Sequence, residues 1–222
     1  MRIKSPKDIA PLIDHTLLKA NANGKQIEIL CKEANTYQFA SVCINPVFVP
    51  LASEILKDSP VKVCTVIGFP LGANLIETKR NEAINCLKAG AKELDMVINI
   101  SKLIERDYDY INREISTIMT SLSSDTIFKL IIETCYLSDE TIIDICNIAV
   151  SNGVHFVKTS TGFGSSGANT RMVTLMKKTV GENAEIKASG EIRDFETAMS
   201  MIKCGATRLG TSSGIKIISE SL

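Results

Sequence analysis

Hydrophobic and polar positions alternate between two patterns along this chain. Short, nearly continuous apolar runs occur at FASVCI (39–44), VKVCTVIGF (61–69), KELDMVINI (92–100), IFKLIIET (127–134), VHFVKTS (154–160), AEIKAS (184–189) and TRLGTS (207–212). Runs of this length predict buried strands. The segments between them are amphipathic. Residues 25–34 place Ile27, Leu30, Cys31 and Ala34 at helical spacing, and residues 78–89 place Ala83, Ile84 and Leu87 on one face. Residues 139–151 and 194–204 follow the same period. Asp139 and Asp194 suit helix N-caps, and Gly90, Gly153 and Gly205 suit positions just past helix ends.

Those three glycines mark a repeat. Each is followed by a small residue and an apolar run, and the fifth residue beyond the glycine is Asp95, Lys158 or Gly210. In a parallel βα array these positions share a height near the C-terminal strand ends. Counting PLIDHT (11–16) as a first strand gives eight βα units. The expected fold is therefore α/β, a (β/α)8 TIM barrel forming a single domain over residues 1–222, slightly below the typical length of about 250 residues. An open doubly wound sheet is the alternative, although no GxGxxG follows the first strand. In both folds ligands bind at the C-terminal strand ends. The candidates at that height are Asp14, Cys43, Asp95, Lys158 and Lys187.

Composition narrows the function. The chain has 222 residues, 45% of them hydrophobic, with 25 acidic and 25 basic residues. The balance of charge argues against a nucleic-acid partner, and the absence of tryptophan argues against a base-stacking platform. No apolar run approaches the length of a membrane span, and the N-terminus lacks the apolar core of a signal peptide. Seven cysteines without a CxxC pair fit a reducing cytoplasm. Only two histidines are present, in unrelated contexts, which argues against a zinc site.

Two lysines hold the sharpest chemistry. FVKTS and IKAS each end an apolar run on a lysine followed by small residues. Neighbouring strands lie about 4.8 Å apart. If both side chains point inward, mutual repulsion disfavours their charged forms. A free amine attacks carbonyls to form a Schiff base. The other reading is a pair of solvated strand-end lysines, since lysines are mostly exposed. Asp95 interrupts an apolar strand, and a buried carboxylate needs a partner. It either fastens two strands as an ion pair or serves the lysines as a proton carrier. Asp14 allows the same two readings, the simpler being a polar cap just after the first strand. Three small-residue loops follow the last strands: TSTGFGSSG (159–167), ASGE (188–191) and GTSSG (210–214). Each serves as an ordinary turn or as a cradle of backbone N–H groups for phosphate.

LIDHTLLK, GFPLG, ELDMVINI, FVKTSTGFG, KASGEIRD and LGTSSG follow one another in an order that resembles the deoxyribose-phosphate aldolases, from about Asp14 to Ser213. The resemblance implies a (β/α)8 barrel. It implies reversible cleavage of 2-deoxy-D-ribose 5-phosphate into D-glyceraldehyde 3-phosphate and acetaldehyde, without a metal or other cofactor. It makes Lys158 the Schiff-base lysine, Lys187 the second lysine, which perturbs the first and assists proton transfer, and Asp95 the proton-relay carboxylate. Gly162, Gly190, Ser212 and Ser213 fall where the family holds phosphate. The expected partners are a small sugar phosphate and a second copy of the chain in a homodimer. One position departs: the family reads KASGG and this chain KASGE. Glu191 is expected to turn away from the phosphate, toward solvent or Arg193, with little effect on KM. The chain ends at Leu222 without a long tail that could close the site.

Overall fold

The computed structural model describes residues 5–219, so Leu222 lies outside the described residues. Eight parallel strands close into a barrel in chain order, with the last paired to the first. They are β1 (Ile13–Leu17), β2 (Ser41–Ile44), β3 (Lys62–Ile67), β4 (Glu93–Val97), β5 (Ile127–Ile131), β6 (Phe156–Lys158), β7 (Glu185–Ser189) and β8 (Arg208–Thr211). Each lies within or across a run anticipated from hydropathy. Around them pack α1 (Gly24–Tyr37), α2 (Val49–Ile55), α3 (Ile76–Lys88), α4 (Ile100–Ile104), α5 (Tyr108–Met119), α6 (Asp139–Ser151), α7 (Thr170–Val180), α8 (Phe195–Lys203) and α9 (Gly214–Ser219). No helix among the described residues is long and apolar enough to cross a membrane.

Local chemistry sets the helix ends. Asn23 accepts from the Gln26 N–H while the Gln26 side chain returns to the Asn23 N–H, and α1 then buries Ile27, Leu30, Cys31 and Ala34. Asp194 caps α8 through the Thr197 N–H at 2.8 Å. The cap of α6 is Ser138 rather than Asp139; Asp139 sits in the first turn, where a carboxylate still complements the helix dipole. Gly90, Gly153 and Gly205 all take positive φ, of 111°, 70° and 108°, just past the ends of α3, α6 and α8. There they reverse the chain into the next strand.

Two apolar cores result. The larger lies between strands and helices, and a small one of Leu18, Cys43, Cys64 and Val66 lies inside the barrel mouth. Alternation along each strand sends one residue to each side. On β1, Ile13 and His15 face the helices and Asp14 faces the barrel interior. His15 bonds Glu33 at 2.9 Å and packs on Phe39, but its buried Nδ1 has no partner among the described residues. Burial therefore lowers its pKa below 6.5, against the pull of Glu33. The unfolded chain takes the extra proton first as pH falls, so stability is held above the ordinary histidine pKa and lost on acidification below it. In urea titrations at about pH 7.5 and 5.5, the wild type should lose more stability than His15→Phe over the same step. Equal losses would remove His15 as the cause.

The strand register fixes what meets inside the barrel. In an eight-strand barrel of shear eight, positions one residue further along each successive strand share a height. Asp95 pairs with Lys129 and Lys129 with Phe156, two residues before Lys158. Lys158 pairs with Lys187 and Lys187 with Arg208, two before Gly210. Gly210 pairs with Asp14 and Asp14 with Ser41, two before Cys43. Cys43, Asp95, Lys158 and Gly210 therefore form one layer from the even strands, as the glycine repeat anticipates. Asp14, Cys64, Lys129 and Lys187 form the layer below it from the odd strands. Asp14 and Lys187 thus lie one layer deeper than the common height expected of them.

Candidate active site

The interior layers are filled by charge rather than by branched aliphatics. Asp95 is fully buried in the middle of β4. Its Oδ1 accepts from Lys129 Nζ at 2.8 Å and from the Cys64 thiol at 3.1 Å. Its Oδ2 accepts from Lys158 Nζ at 2.8 Å and from Lys187 Nζ at 2.6 Å. Lys187 also donates to Asp14. Asp14 in turn accepts from Arg208 at 2.6 Å and from the Ser41 hydroxyl at 2.7 Å. Glu93 holds Lys129 at 2.6 Å and Arg208 at 3.1 Å. Asp14 is thus a buried member of β1, hydrogen-bonded to two cations and ion-paired with a third, Lys129 at 3.8 Å, not a cap after the strand.

The electrostatics follow from this packing. Burial alone would raise the pKa of Asp95, but Lys129, Lys158 and Lys187 outweigh it and hold the carboxyl well below its ordinary range. Asp14 is held low against burial in the same way by Lys187, Arg208 and Lys129. Burial alone would neutralise Lys187; the carboxylates of Asp14 and Asp95 instead hold its pKa above the ordinary value. Repulsion between the two lysines therefore does not strip Lys187 of its proton. Lys187 is a fixed cation sharing one oxygen with Lys158. Three carboxylates (Asp14, Glu93 and Asp95) face four basic side chains (Lys129, Lys158, Lys187 and Arg208).

Of the charged side chains in these two layers, Lys158 alone lines open space. Lys158, 3% exposed, lines a cavity of about 350 Å³ at the C-terminal end of the barrel, with Thr16, Leu17, Gly162, Gly190, Gly210 and Ser212 among its neighbours there. Asp95 and Lys187 sit behind it. Gly162 and Gly190, at φ of 85° and 84°, bring the loops after β6 and β7 to this wall, and Ser212 brings the loop after β8. Ser213 does not join them: its N–H donates to Thr211 Oγ1 at 2.9 Å and it lies off the cavity lining. Phe163, 57% exposed, meets Phe69 edge to face at 5.3 Å beside the opening.

The β6 loop is anchored from two sides. Buried Glu133 accepts from the Thr161 N–H and hydroxyl. Gly167 lies against Gly190 so closely that a Cβ there would stand 2.4 Å from the Gly190 carbonyl. Glu191, at a positive φ of 64°, accepts from the Gly167 N–H at 3.0 Å. Its carboxylate thus bonds the neighbouring loop rather than Arg193, and the residue is solvent-exposed on the cavity lining.

Some donors also suit a metal. Cys43, Cys64 and Asp95 offer ligand atoms within 4.8 Å of one another, as do Asp14, Cys64 and Glu93. The carboxylate oxygens in both groups already accept from ammonium or guanidinium groups, so a divalent ion would have to displace those cations.

Sequence reasoning brought Lys158, Lys187 and Asp95 together and missed Lys129, Glu93, Arg208 and Glu133. The signal for Lys129 was present: a lysine interrupts IFKLIIET as Asp95 interrupts its strand. Complementary charges on neighbouring buried strands are a readable pair.

Residues 9–220 match the family model described as DeoC/LacD family aldolase. The chain is 56% identical to deoxyribose-phosphate aldolase of Caldanaerobacter subterraneus subsp. tengcongensis over 98% of this chain and 95% of that one. It is 49% identical to the enzyme of that name from Clostridium tetani, over 96% of this chain and 99% of the relative. Deoxyribose phosphate aldolase from Aeropyrum pernix, described as a tetramer, superposes with a TM-score of 0.91 at 35% identity, covering 98% of this chain and 92% of that one.

Proposed function

This chain belongs to the DeoC/LacD family of aldolases, and from that premise we propose that it cleaves 2-deoxy-D-ribose 5-phosphate reversibly into D-glyceraldehyde 3-phosphate and acetaldehyde through a Schiff base on Lys158. The observation that carries the reading is the single amine of the charged layers that opens into the cavity, held at 2.8 Å on a buried carboxylate.

As a free amine, Lys158 leaves the buried cluster balanced, three carboxylates against three cations. The amine adds to the C1 carbonyl of the open-chain sugar, and loss of water leaves a protonated imine. That cation takes the place of the ammonium beside Asp95. It draws electrons from the C2–C3 bond as the C3 hydroxyl loses its proton. Glyceraldehyde 3-phosphate departs, an enamine remains, and protonation at C2 followed by hydrolysis returns acetaldehyde and the free lysine. Asp95 orients Lys158 and takes part in its proton exchange; Lys187 shares Oδ2 and keeps that carboxylate ionised. The phosphate lies against Gly162, Gly190 and Ser212, where small residues let it approach the backbone. The seven free cysteines suit a reducing cytoplasm; the chain is expected to self-associate as a dimer, whereas the Aeropyrum pernix relative is described as a tetramer.

Incubation with acetaldehyde and borohydride should add a two-carbon unit to the peptide carrying Lys158. Labelling confined to another lysine would overturn the assignment. Dialysis against EDTA should leave turnover unchanged, and a loss that zinc restores would replace this mechanism with a metal-dependent one.

A further inference from the structure

Glu191 is the position where the backbone and the side chain disagree with the simplest design of the site. Its φ of 64° lies in the left-handed region, which a glycine enters freely and a glutamate does not. The conformation is accompanied by a specific bond: Oε2 accepts the Gly167 N–H at 3.0 Å. Gly167 itself lies against Gly190, and Ala168 donates to Ser189 O at 3.0 Å, so this contact closes the seam between the loops after β6 and β7. Glu191 also lines the same cavity as Lys158, Gly162, Gly190 and Ser212. The other ionisable groups on that lining are Lys19 and Arg193, both cations. The carboxylate is thus the one negative side chain on a wall whose remaining groups favour an anion.

We propose that Glu191 is a specificity-determining residue, a built-in anion that takes up the Gly167 amide and makes the site bind the phosphate of its substrate less tightly, shifting preference toward uncharged 2-deoxy aldehydes. The inference rests on the phosphate end assigned above. A carboxylate beside a dianion costs binding in proportion to both charges, whereas a neutral hydroxymethyl group meets no such repulsion. The latch and the charge separate cleanly in two substitutions. Glu191→Gln keeps an oxygen for the Gly167 N–H and removes the charge. Glu191→Gly removes both and relieves the backbone.

The test titrates inorganic phosphate into wild type and Glu191→Gln by calorimetry, and measures KM for 2-deoxyribose 5-phosphate and for 2-deoxyribose. The expected result is phosphate binding about tenfold tighter in Glu191→Gln, with the ratio of the two KM values shifting about tenfold toward the phosphorylated sugar. Unchanged phosphate affinity and an unchanged KM ratio in Glu191→Gln would overturn the proposal and leave Glu191 as a latch alone. If only Glu191→Gly shifts the ratio, loop closure rather than charge is responsible, and the proposal likewise fails. Should the wild type cleave neither sugar, the substrate assignment fails, while the phosphate titration still decides the role of Glu191.

Discussion

Lys158→Ala is expected to lower turnover of 2-deoxyribose 5-phosphate by at least about a thousandfold, because in the proposed mechanism it removes the covalent step itself. Lys187 and Lys129 cannot substitute. Both lie fully buried behind Lys158, tied to carboxylates on more than one side. Asp95 keeps its contacts with Lys129 and Lys187 in the variant, so the fold should survive. A coupled assay for glyceraldehyde 3-phosphate measures the loss, and a circular dichroism melt checks the fold. Turnover within a few-fold of wild type, from protein that melts normally, would remove Lys158 from the mechanism. Phosphate binding should persist in this variant, since the loops that carry Gly162, Gly190 and Ser212 are untouched.

Asp95→Asn should fail in two separable ways. The amide cannot hold a negative charge, so three ammonium groups lose the carboxylate they share. Removing one partner of a buried charge cluster typically costs about 3–5 kcal/mol, and a urea titration should register a loss of that order. In the folded fraction, kcat should fall strongly while KM changes little, because in the proposed mechanism the residue acts on the lysine rather than on the sugar. A near-normal kcat with the stability loss intact would make Asp95 a structural ion pair. The pH dependence has a definite sign. The folded carboxyl titrates well below its ordinary value, so its contribution to stability is complete at neutral pH and is lost as pH falls through the acid range toward the folded pKa.

Several features were legible because they are local or periodic. The run of apolar segments separated by amphipathic ones, and the glycine five residues before Asp95, Lys158 and Gly210, indicate a parallel βα array whose equivalent positions share a height; that the array closes, with β8 paired to β1, is decided by the tertiary structure. The helix start at Asp194 follows from a side chain that bonds its own backbone a turn later, whereas at α6 the cap fell to Ser138, one residue before Asp139. Polar residues inside apolar runs mark Asp95, Lys158 and Lys187, since a buried charge requires a partner wherever the chain folds. Which lysine meets the cavity, and which is sealed beneath it, is decided by the stagger of the closed barrel: the one-residue step between strands sets Lys187 a layer below Lys158. The same closure joins Asp14 on the first strand to Lys187 and Arg208 on the last two, a pairing that separations of 173 and 194 residues keep out of any local pattern. The loops followed their own geometry. Ser213 turned its amide to Thr211, and Glu191 reached Gly167 across the seam, because hydrogen bonds between loops depend on how closely two backbones approach, and that distance exists only once the barrel has closed.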